Sequence, residues 1–175
     1  MNRASLRSLA VLILSLAATA ARGEVYQEPG AFVAEVFGAA PAPKVLWLTR
    51  DRQAQAAAIL GHPPAQLRQR YWSEGRKSVW ILEETGKEEL ITAGFVVVSG
   101  HIDHVRVLVY RESRGQEVRQ SSFLKQFKDA KLSAGDRLDR NIDGIVGATL
   151  SVGAMERMAR LALLFDRLSR ESAQG

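Results

Sequence analysis

The stretch Leu90–Tyr110, LITAGFVVVSGHIDHVRVLVY, decides how this chain folds. Leu90 to Val98 is apolar and rich in β-branched residues, Ser99-Gly100 is a turn signal, and Ile102 to Tyr110 resumes the strand. In the second strand Val105, Val107 and Val109 fall on one face. His104, Arg106, Leu108 and Tyr110 fall on the other. This pattern predicts an antiparallel hairpin at the centre of a sheet.

Working upstream, Ser78 to Leu82 and Arg70 to Trp72 are further β-rich runs, separated by the turn signal Ser73-Glu74-Gly75. Lys44 to Thr49 suits a strand, and Arg50 to Leu60 suits a helix ended by Gly61 and Pro63-Pro64. Ala31 to Phe37 is a short helix candidate offering Phe32, Val33 and Phe37 for burial, before a loop punctuated by Pro41 and Pro43. Downstream, Ser121 to Lys128 places Phe123, Leu124 and Phe127 at helical spacing, and Lys131 to Arg140 reads as a polar surface loop. A final helix from about Val152 to Ser169 buries Val152, Met155, Ala159, Ala162 or Leu163, and Leu168. Glu156/Arg160 and Asp166/Arg170 form i, i+4 pairs on its outside. Strands grouped together with helices at either end predict an α+β fold, an antiparallel sheet with a central hairpin flanked by helices.

The 175 residues suit one domain. Arg3 and Arg7 followed by an apolar run from Leu9 to Ala18 and then small residues read as a signal peptide, residues 1–23. The run is shorter than the roughly 20 residues a bilayer span needs. An uncleaved N-terminal anchor would equally place the domain outside the cytoplasm. Removing residues 1–23 takes away three arginines and no acid, so the net charge of +5 falls to +2. A mature charge so near zero gives no support to nucleic-acid binding, which wants a concentrated basic face. The absence of cysteine excludes disulfides, thiolate metal sites, iron–sulfur clusters and a lipid anchor on an N-terminal cysteine. Such a domain is held by its core alone.

Histidine chemistry is poorly provided for. His62 precedes Pro63-Pro64 in a loop, and strand alternation sends His101 and His104 to opposite faces, a poor geometry for one metal. No metal site and no catalytic base is expected. Met155 and Met158 read as core filler. Gly144, Gly147 and Gly153 match neither G-x-x-x-x-G-K-[ST] nor G-x-G-x-x-G. Yet DGIVGATLS, Asp143 to Ser151, crowds small and hydroxyl residues at the mouth of the last helix. Helix N-termini expose N–H groups and the positive end of the dipole, which favours a phosphate. Thr149, after Gly147 and Ala148, would present its hydroxyl there.

Asp143 to Ser151 resembles the flavinylation motif of the FMN-binding domain family, which includes covalently flavinylated subunits of sodium-translocating NADH:quinone reductase and related electron-transport complexes. That motif reads roughly Asp, two residues, Ser or Thr, Gly, Ala, Thr. Val146 stands where the family usually has Ser or Thr. The similarity extends through Val109-Tyr110-Arg111-Glu112, Gly115 and Ser122-Phe123-Leu124-Lys125-Gln126-Phe127. It spans roughly Ile81 to Leu168.

The resemblance implies FMN joined to Thr149 by a phosphoester bond, installed by a separate flavin transferase that uses FAD and Mg²⁺. It implies cofactor contacts from Asp143, Gly147, Ala148 and Ser151, and from Glu112 and Gly115, whose alternatives are a solvated acid and a simple turn glycine. Asp143 either orients the turn as an Asx-turn or local cap, or is recognised by the transferase. Trp47, Trp72 and Trp80 either stack on the isoalloxazine or pack. The implied division is an N-terminal extension over residues 24–80, an FMN-binding domain over 81–170 and a disordered tail over 171–175. The implied role is an exported (periplasmic or otherwise extracytoplasmic) electron carrier more than a stand-alone enzyme. It would be membrane-associated through a redox partner and not through its own anchor. The alternative is a flavin-free or non-covalently flavin-binding interaction module of the same fold.

Overall fold

The computed structural model describes residues 23–174, so the expected signal peptide lies outside the described residues but for Gly23. Six strands form one antiparallel sheet: β1 (Glu24–Val25), β2 (Lys44–Trp47), β3 (Arg68–Glu74), β4 (Lys77–Thr85), β5 (Leu90–Val98) and β6 (His101–Tyr110). Their order across the sheet is β1-β6-β5-β4-β3-β2. The helices are α1 (Pro29–Phe37), α2 (Arg50–Leu60), the single turn α3 (Ser121–Leu124) and the long α4 (Thr149–Gln174). This is the expected α+β architecture, with a long helix after the Asp143–Ala148 loop. Among the described residues no helix is long and apolar enough to cross a membrane.

The opening stretch forms the β5–β6 hairpin, closed by Ser99 and Gly100, both at positive φ (52° and 80°). That is the geometry a two-residue hairpin loop needs to match the twist of its strands. The sheet is covered on both faces, which explains why β5 is apolar almost throughout. On one face Phe32 and Val33 of α1 close a cluster with Val79, Val96, Leu108 and Val109. Gly94 makes that possible, because a Cβ there would come 2.3 Å from the Phe32 ring. On the other face α4 and α2 pack on Trp80, Leu82, Ile91, Ala93, Phe95 and Val97. Val152, Met155, Ala159, Ala162, Leu163 and Leu168 are all buried there, the valine, methionine and leucines contributing about 1.5–3 kcal/mol each.

The strict alternation expected for β6 fails twice. The register steps from Thr92↔Val109 to Ala93↔Val107 and from Val96↔His104 to Val97↔Ile102, so Leu108 and Asp103 are extra residues. A bulge sets two consecutive residues on one side. Leu108 and Val109 therefore both face α1, and Tyr110 turns over to the α4 face. The second bulge likewise brings His101 and His104 to the same face rather than opposite ones. His104 packs edge-on to Phe32, and the His101 partner Val98 belongs to the α1 side.

Four other expectations change. Asp166 is not outside: it is 1% exposed and takes hydrogen bonds from Ser78 Oγ (2.6 Å) and Arg170. Arg160 donates to the Asp136 carbonyl (2.6 Å). The last helix starts at Thr149 and continues through Gln174, so residues 171–174 are helical where a disordered tail was expected. A boundary at residue 80 falls inside β4, and the expected N-terminal extension supplies strands to the same sheet.

Candidate functional site

The Asp143–Ala148 loop is built around one turn. The Ala148 N–H bonds to the Ile145 carbonyl (3.0 Å), and Gly147, the third residue, sits at φ +83°. A type II turn demands a positive φ at that place, which glycine adopts without strain. Val146, the second turn residue, is thereby lifted fully into solvent, and Leu150 is also mostly exposed. Ala148 is buried and Thr149, the first helical residue, is exposed. No atom lies within 4 Å of where a Cβ on Gly144 or Gly147 would project. The amides of Thr149, Leu150 and Ser151 meet no acceptor among the described residues. Free N–H groups, the positive end of a 26-residue helix and open space coincide at the Thr149 hydroxyl.

Beneath this surface lies a tightly packed seat. Ser151 is 5% exposed, and its hydroxyl pairs with the Tyr110 hydroxyl (3.1 Å), which also donates to the Arg114 carbonyl (2.5 Å). Burial pushes the Tyr110 phenol above its ordinary pKa, so it stays protonated and able to donate. Gly115, at φ +83°, lets the segment after β6 close onto the helix. A Cβ there would lie 2.8 Å from Tyr110 Oη, 3.0 Å from Ser151 Oγ and 3.3 Å from Ala148 Cβ. Gly86 plays the same part from the β4–β5 turn, with a virtual Cβ 2.8 Å from Glu112 Oε1 and 3.3 Å from Ser151 Oγ.

Glu112 is partly exposed but not idle. Its Oε1 accepts the backbone N–H groups of Lys87, Glu88 (2.8 Å) and Glu89 (3.0 Å), which ties the β4–β5 turn to the end of β6. Burial acts to raise this carboxyl, but the three N–H bonds outweigh it and hold the pKa below the ordinary value. Gln126 reaches across from the segment after α3 and accepts the Asp143 N–H at 2.7 Å. The Asp143 side chain itself is exposed and makes no hydrogen bond among the described residues.

Of the residues singled out from sequence, Ala148, Ser151, Gly115 and Glu112 thus converge on the seat, while Asp143, Gly147 and Thr149 form the open surface above it. Tyr110, Gly86 and Gln126 complete the arrangement. Gln126 stood in the quoted FLKQF run, whereas the role of Tyr110 depends on the bulge at Leu108. Trp80 is fully buried, stacked on Tyr71 at 4.5 Å, and Trp72 packs on the α1 side. Trp47 alone of the three is largely exposed. Farther along α4, Arg157 donates to buried Glu84 of β4 (2.9 Å), which also pairs with His62 (3.2 Å). The Pro63 carbonyl and then Glu84 raise the His62 pKa. Among the described residues no group of three or more His, Asp or Glu could hold a metal ion.

Residues 86–164 match the family model of the FMN-binding domain. The match runs from the β4–β5 turn through most of α4, and this FMN-binding domain supports an FMN-binding protein. No curated protein and no solved structure matched the chain. The site described above lies within the matched segment, and its unpaired amides, open glycines and exposed hydroxyl fit a phosphate group.

Proposed function

We propose that the protein is an exported electron carrier whose FMN is held on Thr149 by a phosphoester bond. The observation that carries this reading is the exposed Thr149 hydroxyl at the start of α4, above a seat that Glu112, Gly115, Tyr110 and Ser151 fix in place. The described residues supply no base beside that hydroxyl, and an unassisted threonine is a weak nucleophile. A flavin transferase therefore performs the attachment, with FAD as donor. Thr149 would supply the hydroxyl oxygen that accepts the FMN phosphoryl group, with AMP as the leaving group from FAD and the hydroxyl proton passing to the transferase. Such an enzyme needs access, which Gly147 and the outward-pointing Val146 give. The Thr149, Leu150 and Ser151 amides would hold the phosphate oxygens.

Bound FMN supplies the redox chemistry, and the chain positions it and sets its surroundings. The carrier would relay electrons between a membrane reductase and an extracytoplasmic acceptor. A second reading, FMN bound without a covalent bond, is favoured by one feature, the absence of a hydroxyl at Val146. Intact-mass analysis after co-expression with a transferase separates them. The covalent reading expects one added FMN less water, mapped to Thr149 and absent in Thr149→Ala. A yellow protein that loses its colour on denaturation overturns the bond and keeps the cofactor. A colourless one, from a host that flavinylates other targets, overturns both.

A further inference from the structure

The β2 strand is a free edge of the sheet, and it carries a surface unconnected with the flavin reading. Val45 pairs with Arg70 and Trp47 with Arg68, directly across the β2–β3 ladder. Trp72, two residues beyond Arg70, pairs with Val79 of the α1-side cluster, so alternation sets all four side chains on that face of the sheet. There α1 does not cover them. Trp47 is 61% exposed and Val45 46% exposed. Arg68 and Arg70 are exposed, and neither guanidinium has a hydrogen-bond or ion-pair partner among the described residues. The acid on the neighbouring strand, Glu83, is occupied by Thr92 Oγ1 (2.6 Å) and Arg111 (3.7 Å).

Two apolar side chains, one of them an indole, thus sit beside two guanidinium groups without an ion-pair partner, while exposed Glu74 lies at the far end of β3 opposite Lys77. An indole with an apolar body and a polar N–H suits the headgroup boundary of a bilayer, and arginines beside it suit lipid phosphates. Self-pairing of two copies through the β2 edge would leave Arg68 and Arg70, one strand in, without an anionic partner, which favours an anionic surface over a second copy as occupant. We propose that the Val45–Trp47–Arg68–Arg70 corner docks the domain on a bilayer containing anionic phospholipid. Trp47 and Val45 enter the headgroup boundary, and Arg68 and Arg70 pair with lipid phosphates. Arg68 lies at the end of β3 away from the Gly75 turn, the same end at which β4 runs out toward Gly86.

The test is sedimentation of the full chain with vesicles of equimolar phosphatidylglycerol and phosphatidylcholine, against vesicles of phosphatidylcholine alone. Binding should prefer the anionic vesicles and weaken with salt. Neutralising Arg68→Gln and Arg70→Gln should lower partitioning by about fivefold each. Trp47→Ser should lower it as well, and all three sites are exposed enough that circular dichroism should stay unchanged. Residues 1–22 are identical in every variant, so differences between variants report on the patch. As a second readout, brominated lipid should quench the emission that is lost in Trp47→Phe. Three results overturn the proposal: equal sedimentation of wild type and variants, equal binding to neutral vesicles, or unquenched Trp47 emission. A β2 edge that captures an extended peptide while vesicles leave the protein in solution overturns it too.

Discussion

Four glycines around the Thr149 site differ in the two ways a glycine can be required, and alanine substitution separates them. Gly144 has an ordinary φ and open space, Gly147 has φ +83° and open space, Gly86 has an ordinary φ but a crowded Cβ position, and Gly115 is both at φ +83° and crowded. An L-residue in the left-handed region costs about 1–2 kcal/mol, less about 0.5 kcal/mol regained by stiffening the unfolded chain. A Cβ forced into packed atoms costs about 1–3 kcal/mol. At Gly115 it would also part the Tyr110–Ser151 bond, worth about 1 kcal/mol. The expected losses are therefore about zero for Gly144→Ala, about 1 kcal/mol for Gly147→Ala, about 1–2 kcal/mol for Gly86→Ala and about 3 kcal/mol or more for Gly115→Ala. For a domain of this size each kcal/mol moves Tm by about 2–4 °C. Thermal melts should thus place Gly115→Ala about 6–12 °C below wild type and Gly147→Ala only about 2–4 °C below. Urea titrations should show the same order in midpoint with the slope unchanged. If Gly115→Ala were no worse than Gly147→Ala, the close approach of the post-β6 segment to Ala148 and Ser151 would be refuted.

Glu112→Gln should change the acid limb of stability. A carboxyl whose folded pKa is depressed contributes stability that is fully present above its unfolded value and is lost as pH falls through the folded value. The gap between wild type and Glu112→Gln in urea midpoint should therefore close as pH falls from the ordinary glutamate range through the depressed folded value, and a constant gap would contradict the turn clamp. Gln126→Ala should expose the Asp143 amide to faster hydrogen exchange and lower the flavin-loaded fraction, while Gln126→Glu, which keeps an acceptor, should restore both. Unchanged protection at Asp143 would show that the Gln126 bond does not hold the loop. Asp166→Ala should cost about 3 kcal/mol, because it strands buried Ser78 and the guanidinium of Arg170, whereas Asp166→Asn should cost about 1 kcal/mol. Urea midpoints decide between this and a surface ion pair, for which both variants would be nearly silent.

What the sequence made legible, and what it hid, follows one physical division. Local signals were readable because they act within a few residues: the Ser99-Gly100 turn, the Gly61 cap that ends α2, and the small residues before Thr149. Asp166 was misplaced because an i, i+4 pair with Arg170 has the same spacing on a solvated face as over a buried one. Only the β4 hydroxyl of Ser78, eighty-eight residues away, makes it a core group. The bulges were hidden for a stricter reason. Alternation assumes period two, and one extra residue on β6 leaves composition untouched while it reverses every side chain beyond it.

That reversal reaches the site. Without the extra residue at Leu108, Tyr110 would face α1, its hydroxyl could not reach Ser151, and Leu108 could not share the α1 cluster with Val109. The strand therefore gives up one ladder position so that its last residue changes layers just where the chain passes from core to cofactor loop. Glu112 and Gly115, which follow at once, inherit that direction: one ties down the β4–β5 turn and the other closes on Ala148. The motif at Asp143–Thr149 is thus readable by itself, but its rigidity comes from a bulge that no motif records.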